Sequence, residues 1–107
     1  MKLWVDDVRP APEGYIWCKS VNQAKEAIKY CDFMNNSMNL EGKYSVAIID
    51  IDHDAGDFAS DGGDYIKLLD WLEETGRNYP IRIHSMNPVG RENMQRIIRR
   101  NGWKEVK

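Results

Sequence analysis

The sequence predicts an α/β protein, a three-layer sandwich built on a mostly parallel sheet. Three observations carry that reading. Short apolar runs alternate with segments of helical period, the pattern of strand-helix-strand units with right-handed crossovers. The run "KYSVAIID" (43–50) is β-branched and apolar on both alternations, as expected of a strand covered on both faces. No repeat or low-complexity tract interrupts the 107 residues, so one domain over 1–107 is expected.

Taken in order, Lys2 to Val5 reads as a strand stopped by Asp6-Asp7, and Tyr15 to Cys18 as a second. The nine residues between them, with "VRPAPEG", are too few for a usual crossover helix, so the first crossover helix is expected to be missing or reduced. Ser20 and Gln23 form a capping-box pattern. Behind it Val21, Ala24, Ala27, Ile28 and Cys31 recur at helical spacing, predicting a helix to about Met34, then a loop over Asn35–Gly42. Lys43–Asp50 is the expected central strand. After an acidic loop, a helix from Gly63 to Thr75 starts at Asp61 or Gly62, buries Ile66, Leu69 and Leu72, and ends at Gly76. Pro80–His84 is a further strand. Asn87 then caps a helix with Pro88 at its first position and a buried stripe of Met94, Ile97 and Ile98, closed by Gly102. Trp103–Val106 is expected to be a final edge strand, giving five.

Composition narrows the function. A net charge of −2 argues against a duplex-DNA surface. Arg96, Arg99 and Arg100 complement a helix carboxyl end. There is no membrane span or signal peptide pattern, so a cytoplasmic protein is expected. Cys18 and Cys31 have no metal spacing and are expected to be half-buried structural thiols. Trp4, Trp17, Trp71 and Trp103 are most simply packing residues.

Parallel sheets bind ligands at the carboxyl ends of their strands. Three predicted strand ends carry Asp6-Asp7, then Asp52-His53-Asp54, then His84-Ser85 with Asn87 beyond, so both histidines of the chain fall on one edge. Carboxylates gathered there with few lysines or arginines call for a cation, and an oxygen-rich cluster of Asp6, Asp7, Asp52 and Asp54 suits Mg²⁺ or Mn²⁺. Such an ion commonly holds a phosphate oxygen. Arg9 and Arg91 are candidate phosphate clamps, Arg91 being in the first turn of the last helix; a surface ion pair with Glu92 or Asp54 is its competing role. Ser85 and Asn87 complete the candidate substrate contacts, and His53, His84 and Asp52 are the candidate catalytic groups. Taken alone, His84 would be read as a buried histidine satisfied by a carbonyl. Asp50 is only supporting, and Asp57, Asp61 and Asp64 are assigned to loop solvation and capping. A direct Ser85-His84 pair is not expected, because adjacent strand residues face opposite ways.

The acidic pair after the first strand, the central strand ending in Asp, and the small hydroxyl residue after the next resemble the receiver domain of response regulators. That resemblance implies a flavodoxin/receiver-like fold, with Asp6, Asp7, Asp52 and Ser85 matching its metal-binding, phosphoacceptor and switch positions. The receiver lysine has only Lys104 or Lys107 to match it. More specifically, "WVDDVRPAP", "DIDHDAG" and "IHSMNPVGRENM" resemble the cyclic-phosphate processing receiver domains over nearly the whole chain. This implies a metal-dependent hydrolase, a phosphoesterase acting on cyclic phosphates at RNA ends or on nucleotide derivatives, and an RNA-repair or signalling protein as its partner. The alternatives are a phosphoacceptor or phosphate-binding module without catalysis, and an interaction domain with a vestigial site. The sequence leaves the oligomeric state open.

Overall fold

The computed structural model describes residues 1–38 and 44–107. Strands β1 (Lys2–Val5), β2 (Tyr15–Cys18), β3 (Ile48–Ile51) and β4 (Ile81–Ile83) form one parallel sheet in the order β2-β1-β3-β4. Helices α1 (Val21–Met38), α2 (Ile66–Glu74) and α3 (Pro88–Asn101) follow β2, β3 and β4, and a 3₁₀ turn spans Gly56–Ser60. No helix among the described residues is long and apolar enough to cross a membrane.

Local chemistry explains most boundaries. The Ser20 hydroxyl accepts from the Gln23 N–H at 3.0 Å while the Gln23 side chain accepts from the Lys19 N–H at 2.8 Å, fixing the start of α1. The helix continues through Met38, past the expected end at Met34. Residues 39–42 of the expected loop, and Lys43 at the start of the expected central strand, lie outside the described residues. Helix α2 starts at Ile66 instead of Gly63, because the 3₁₀ turn and the Gly62-Gly63 bend occupy the intervening chain. Helix α3 follows its sequence signals: the Asn87 side chain accepts from the Gly90 N–H at 3.1 Å, Pro88 fills the first position and Gly102 closes the helix.

The expected fifth strand is a single parallel bridge, Ile81 to Glu105, flanked by hydrogen bonds to Lys104 and from Val106. Trp103 ahead of it turns into the core, 8% exposed, which leaves too little chain to run along the sheet.

The layers also differ from expectation. Leu3, Val5, Ile49, Ile51, Ile81 and Ile83 share one face of the sheet and are buried in one cluster with Val21, Ala24 and Ile28 of α1, Leu68, Leu69 and Leu72 of α2, and Met94, Ile97 and Ile98 of α3. The alternate residues Lys2, Trp4, Tyr15, Trp17 and Ile48 lie outside that cluster and keep surface in solvent. Two layers therefore replace the expected three. The crossovers that carry α1 and α2 advance the chain across the sheet in one direction, and right-handed connections in one direction put their helices on the same side. Only β1 to β2 runs the other way, and its link, residues 6–14, holds bends and a turn.

Cys18 and Cys31 are free and fully buried rather than half-buried. Burial, with the Cys31 sulfur nearby, pushes the Cys18 thiol up to about 11, so it is an unreactive packing group.

Candidate functional site

At the carboxyl edge of the sheet, Asp6 directly follows β1 and is 1% exposed. Its Oδ1 accepts from the N–H groups of Val8 and Arg9, both at 2.9 Å, the local turn that an aspartate after a strand favours. Its Oδ2 meets His84 Nε2 at 2.9 Å. The other ring nitrogen, His84 Nδ1, lies 2.6 Å from Asp50 Oδ1, and Asp50 Oδ2 accepts from Arg82 at 3.1 Å. Trp4 covers the imidazole face to face, with centroids 4.0 Å apart and planes 4° apart.

A carboxylate at each ring nitrogen requires both nitrogens to donate, which is the imidazolium form. Burial by itself pulls the His84 pKa down, but the hydrogen bonds and charges of Asp50 and Asp6 outweigh it and hold the group above its ordinary value. Burial likewise pushes Asp6 up, and the Arg9 and Val8 amides with His84 reverse the effect, leaving its carboxyl below the usual range. Arg82, Asp50, His84 and Asp6 thus form an alternating, fully hydrogen-bonded chain of charge.

Asp52 and Asp7 stand outside that chain. Asp52 follows β3; its N–H donates to the Val5 carbonyl and its Oδ1 accepts from the His53 N–H at 2.8 Å. Asp7 packs on Gly56, whose φ of 55° suits glycine and whose missing Cβ leaves the space the Asp7 carboxylate occupies. Neither Asp7 nor Asp52 has a cationic partner among the described residues. Their field is felt at buried Tyr65, whose hydroxyl donates to the Lys19 carbonyl at 2.7 Å; burial first, then Asp7, Asp6, Asp52 and Asp64, raise its pKa.

His53 follows Asp52, with Nδ1 2.8 Å from Asp54 Oδ1. Its ring rests on Gly90 in the first turn of α3, where a side chain as small as a methyl would collide with the imidazole. Arg9 donates to the His84 carbonyl at 3.4 Å and Arg91 to the Ile83 carbonyl at 2.7 Å, so two guanidiniums are tethered to successive carbonyls at the end of β4. Arg91 is bound there instead of pairing with Glu92 or Asp54. Ser85 Oγ accepts from the Asn87 N–H at 3.0 Å, and Asn87 in turn caps α3, so both shape the loop beneath Arg91. Asp64 accepts from the Ala55 N–H, and Asp61 from Ser20 and Asn22, tying the acidic loop to α1.

Asp6, Asp52 and His84 offer donor atoms that all lie within 4.8 Å of one another; Asp7 and Asp54 fall outside that group. Since both His84 nitrogens are engaged, the donors left for a cation are carboxylate oxygens, a set that fits a hard divalent ion. Sequence reasoning undervalued Asp50 and Trp4 and did not single out Arg82 for the site. Trp4, Asp50 and Arg82 stand in one row across β1, β3 and β4, a register visible only once the strands are paired. Strand alternation placed Asp50 opposite its apolar neighbours, and that signal was available.

An acidic pair after β1, an aspartate closing the central strand and a serine after β4, on a parallel sheet with helical crossovers, define a receiver-like domain. Within that class the chain belongs to the cyclic-phosphate processing receiver domain family, whose model matches residues 1–100. No curated protein and no solved structure gives a significant match.

Proposed function

We propose that this chain is a metal-dependent phosphoesterase that opens cyclic phosphate esters. The observation that carries the reading is the division of charge: the His84 imidazolium is held between one oxygen of Asp6 and one of Asp50, while Asp52 and Asp7 have no cationic partner among the described residues and Arg9 and Arg91 are tethered at the end of β4. Asp52 and Asp6, with the adjoining Asp7, would hold Mg²⁺ or Mn²⁺, which supplies neutralisation of charge on a non-bridging phosphate oxygen. The Arg9 and Arg91 guanidiniums keep further N–H donors for the other phosphate oxygens.

In the reaction, water adds to phosphorus and one ring P–O bond breaks, yielding a phosphomonoester and a free hydroxyl. His53 suits the proton transfer: with Nδ1–H donated to Asp54, its Nε2 can accept a proton from water, and the resulting imidazolium can return one to the leaving oxygen. His84, 6% exposed at its side chain with both nitrogens engaged, acts here as a positioning residue that fixes Asp6. A second reading, a phosphoacceptor that forms an aspartyl phosphate on Asp52, is favoured by the unpaired carboxylate of that residue. Against it, Lys107 is paired with Glu105 at the surface, and no strand carries Lys104 to the site.

Phosphorus NMR of 2′,3′-cyclic nucleotides, a cyclic-phosphate RNA end and an ADP-ribose cyclic phosphate tests the proposal. Ring opening that needs Mg²⁺ or Mn²⁺ and disappears in Asp52→Asn is the expected result. Full turnover in Asp52→Asn, or in chelator, overturns it; labelling of Asp52 by acetyl phosphate without ring opening supports the second reading.

A further inference from the structure

The open face of the sheet is not explained by a phosphate site alone. An all-parallel sheet is ordinarily covered on both faces, and this one is covered by helices on one face only. The other face carries Trp4, Tyr15 and Trp17, with Lys2 and Tyr15 in one register row and Trp4 and Trp17 in the next. All three rings are partly exposed, and none belongs to the core cluster.

Cations interleave them. Lys2 Nζ stands 5.5 Å from the centre of the Tyr15 ring and Lys19 Nζ 4.5 Å from that of Trp17. Neither ammonium has a carboxylate partner among the described residues, so each is free to exchange a ring for a phosphate by moving its flexible stem. Arg82, 44% exposed, extends the row of positive charge over β4. The one acid in these rows, Asp50, is neutralised by Arg82 and His84. An acidic protein thus presents a locally cationic, aromatic sheet face.

That face is continuous with the proposed site. Trp4 stacks on His84, and the indole N–H groups of Trp4 and Trp17 donate to the carbonyls of Arg9 and Asp6, at 2.8 and 2.7 Å. The aromatic rows therefore begin where the phosphate contacts end.

We infer that the open sheet face is a base-stacking platform for single-stranded RNA whose terminal cyclic phosphate enters the carboxyl-edge site. The inference deepens the phosphoesterase reading and rests on it for the choice of RNA, because a 2′,3′-cyclic phosphate can form only on a ribose. Aromatic rings on an open four-stranded sheet accept about two or three unpaired bases, and lysines beside them follow the backbone. Stacking is tolerant of sequence, so no base preference is expected. A second copy of the chain is a poorer occupant, since a two-fold contact through this face would bring its uncompensated lysines together.

The test uses the full chain and a 5′-fluorescein oligouridylate of about six nucleotides ending in a 3′-hydroxyl, followed by anisotropy and tryptophan quenching. Saturable binding that weakens with added salt is expected, together with a loss of about fivefold or more in Tyr15→Ala. Lys2→Glu, an exposed substitution that leaves the fold intact by circular dichroism, should give a loss of similar direction. No binding, binding equal in both variants, or a concentration-dependent doubling of mass with no RNA binding overturns the inference. The 3′-hydroxyl strand needs no turnover: strand binding without ring opening defeats the phosphoesterase reading alone, and ring opening of a mononucleotide without strand binding defeats this one alone.

Discussion

The two faces of the sheet are made by alternate residues of the same four strands, yet they obey different rules. On the helix-covered face, Leu3, Val5, Ile49, Ile51, Ile81 and Ile83 are buried by hydrophobic contact, which needs only the right period and volume. On the open face, Trp4, Asp50, Arg82 and the adjoining His84 are held by hydrogen bonds with specific geometry. The first face is tolerant and non-directional; the second depends on each partner being present. The comparison teaches that one face is stabilised by apolar burial and the other by a few buried charge pairs, so each fails in its own way when a side chain is removed.

The largest stability effect that would break this contrast is His84→Ala. Removing the imidazolium leaves Asp6 and Asp50 buried beside each other's charge, at an expected cost of about 3–5 kcal/mol in urea denaturation. A cost below about 1 kcal/mol, the range of an exposed ion pair, would mean that the clamp does not carry the open face. On the covered face, Ile49→Ala should cost about 2–5 kcal/mol by cavity formation. Its neighbour Ile48, half-buried on the open face, should cost well under that when changed to alanine, about 1 kcal/mol or less. Equal costs at 48 and 49 would show that both faces are covered in solution.

The dependence on pH sharpens the same point. The His84 contribution is fully present below its unfolded value of about 6.5 and is lost as pH rises through its raised folded pKa. Asp6 acts in the opposite sense: its contribution is present above its unfolded value of about 3.9 and is lost as pH falls through its depressed folded pKa. Urea midpoints should therefore decline on the alkaline side in the native chain, and that alkaline limb should vanish in His84→Asn. Smaller still is Gly90→Ala, which favours helix but crowds His53; ring opening should fall several-fold while the melting temperature moves little. An unchanged rate would remove His53 from the proton transfer.

Much of the fold was legible because its signals are local. The Asn87-Pro88 start and Gly102 stop of α3, the Ser20-Gln23 cap of α1, and strands β1 and β2 all follow from residues within a few positions. The number of layers and strands was not, because both depend on strand order. Three-layer packing presumes crossovers in both directions, and nothing local says that the helical crossovers run one way. The run 103–106 has strand character, yet the burial of Trp103 competes with pairing and leaves one bridge. At the site, the strand-end acids and both histidines were legible from position alone. The roles of Asp50 and Trp4 were not, because cross-strand register is a property of the paired sheet.

His84 is a fixed cation between Asp6 and Asp50, and Asp52 stands outside that pairing. Nitrogen-15 NMR of the two imidazoles at neutral pH tests that most directly. Protonation of both His84 ring nitrogens, with couplings to the carboxylates of Asp6 and Asp50, is the result expected. A neutral His84 with one bare nitrogen would contradict the account and return that residue to direct proton transfer.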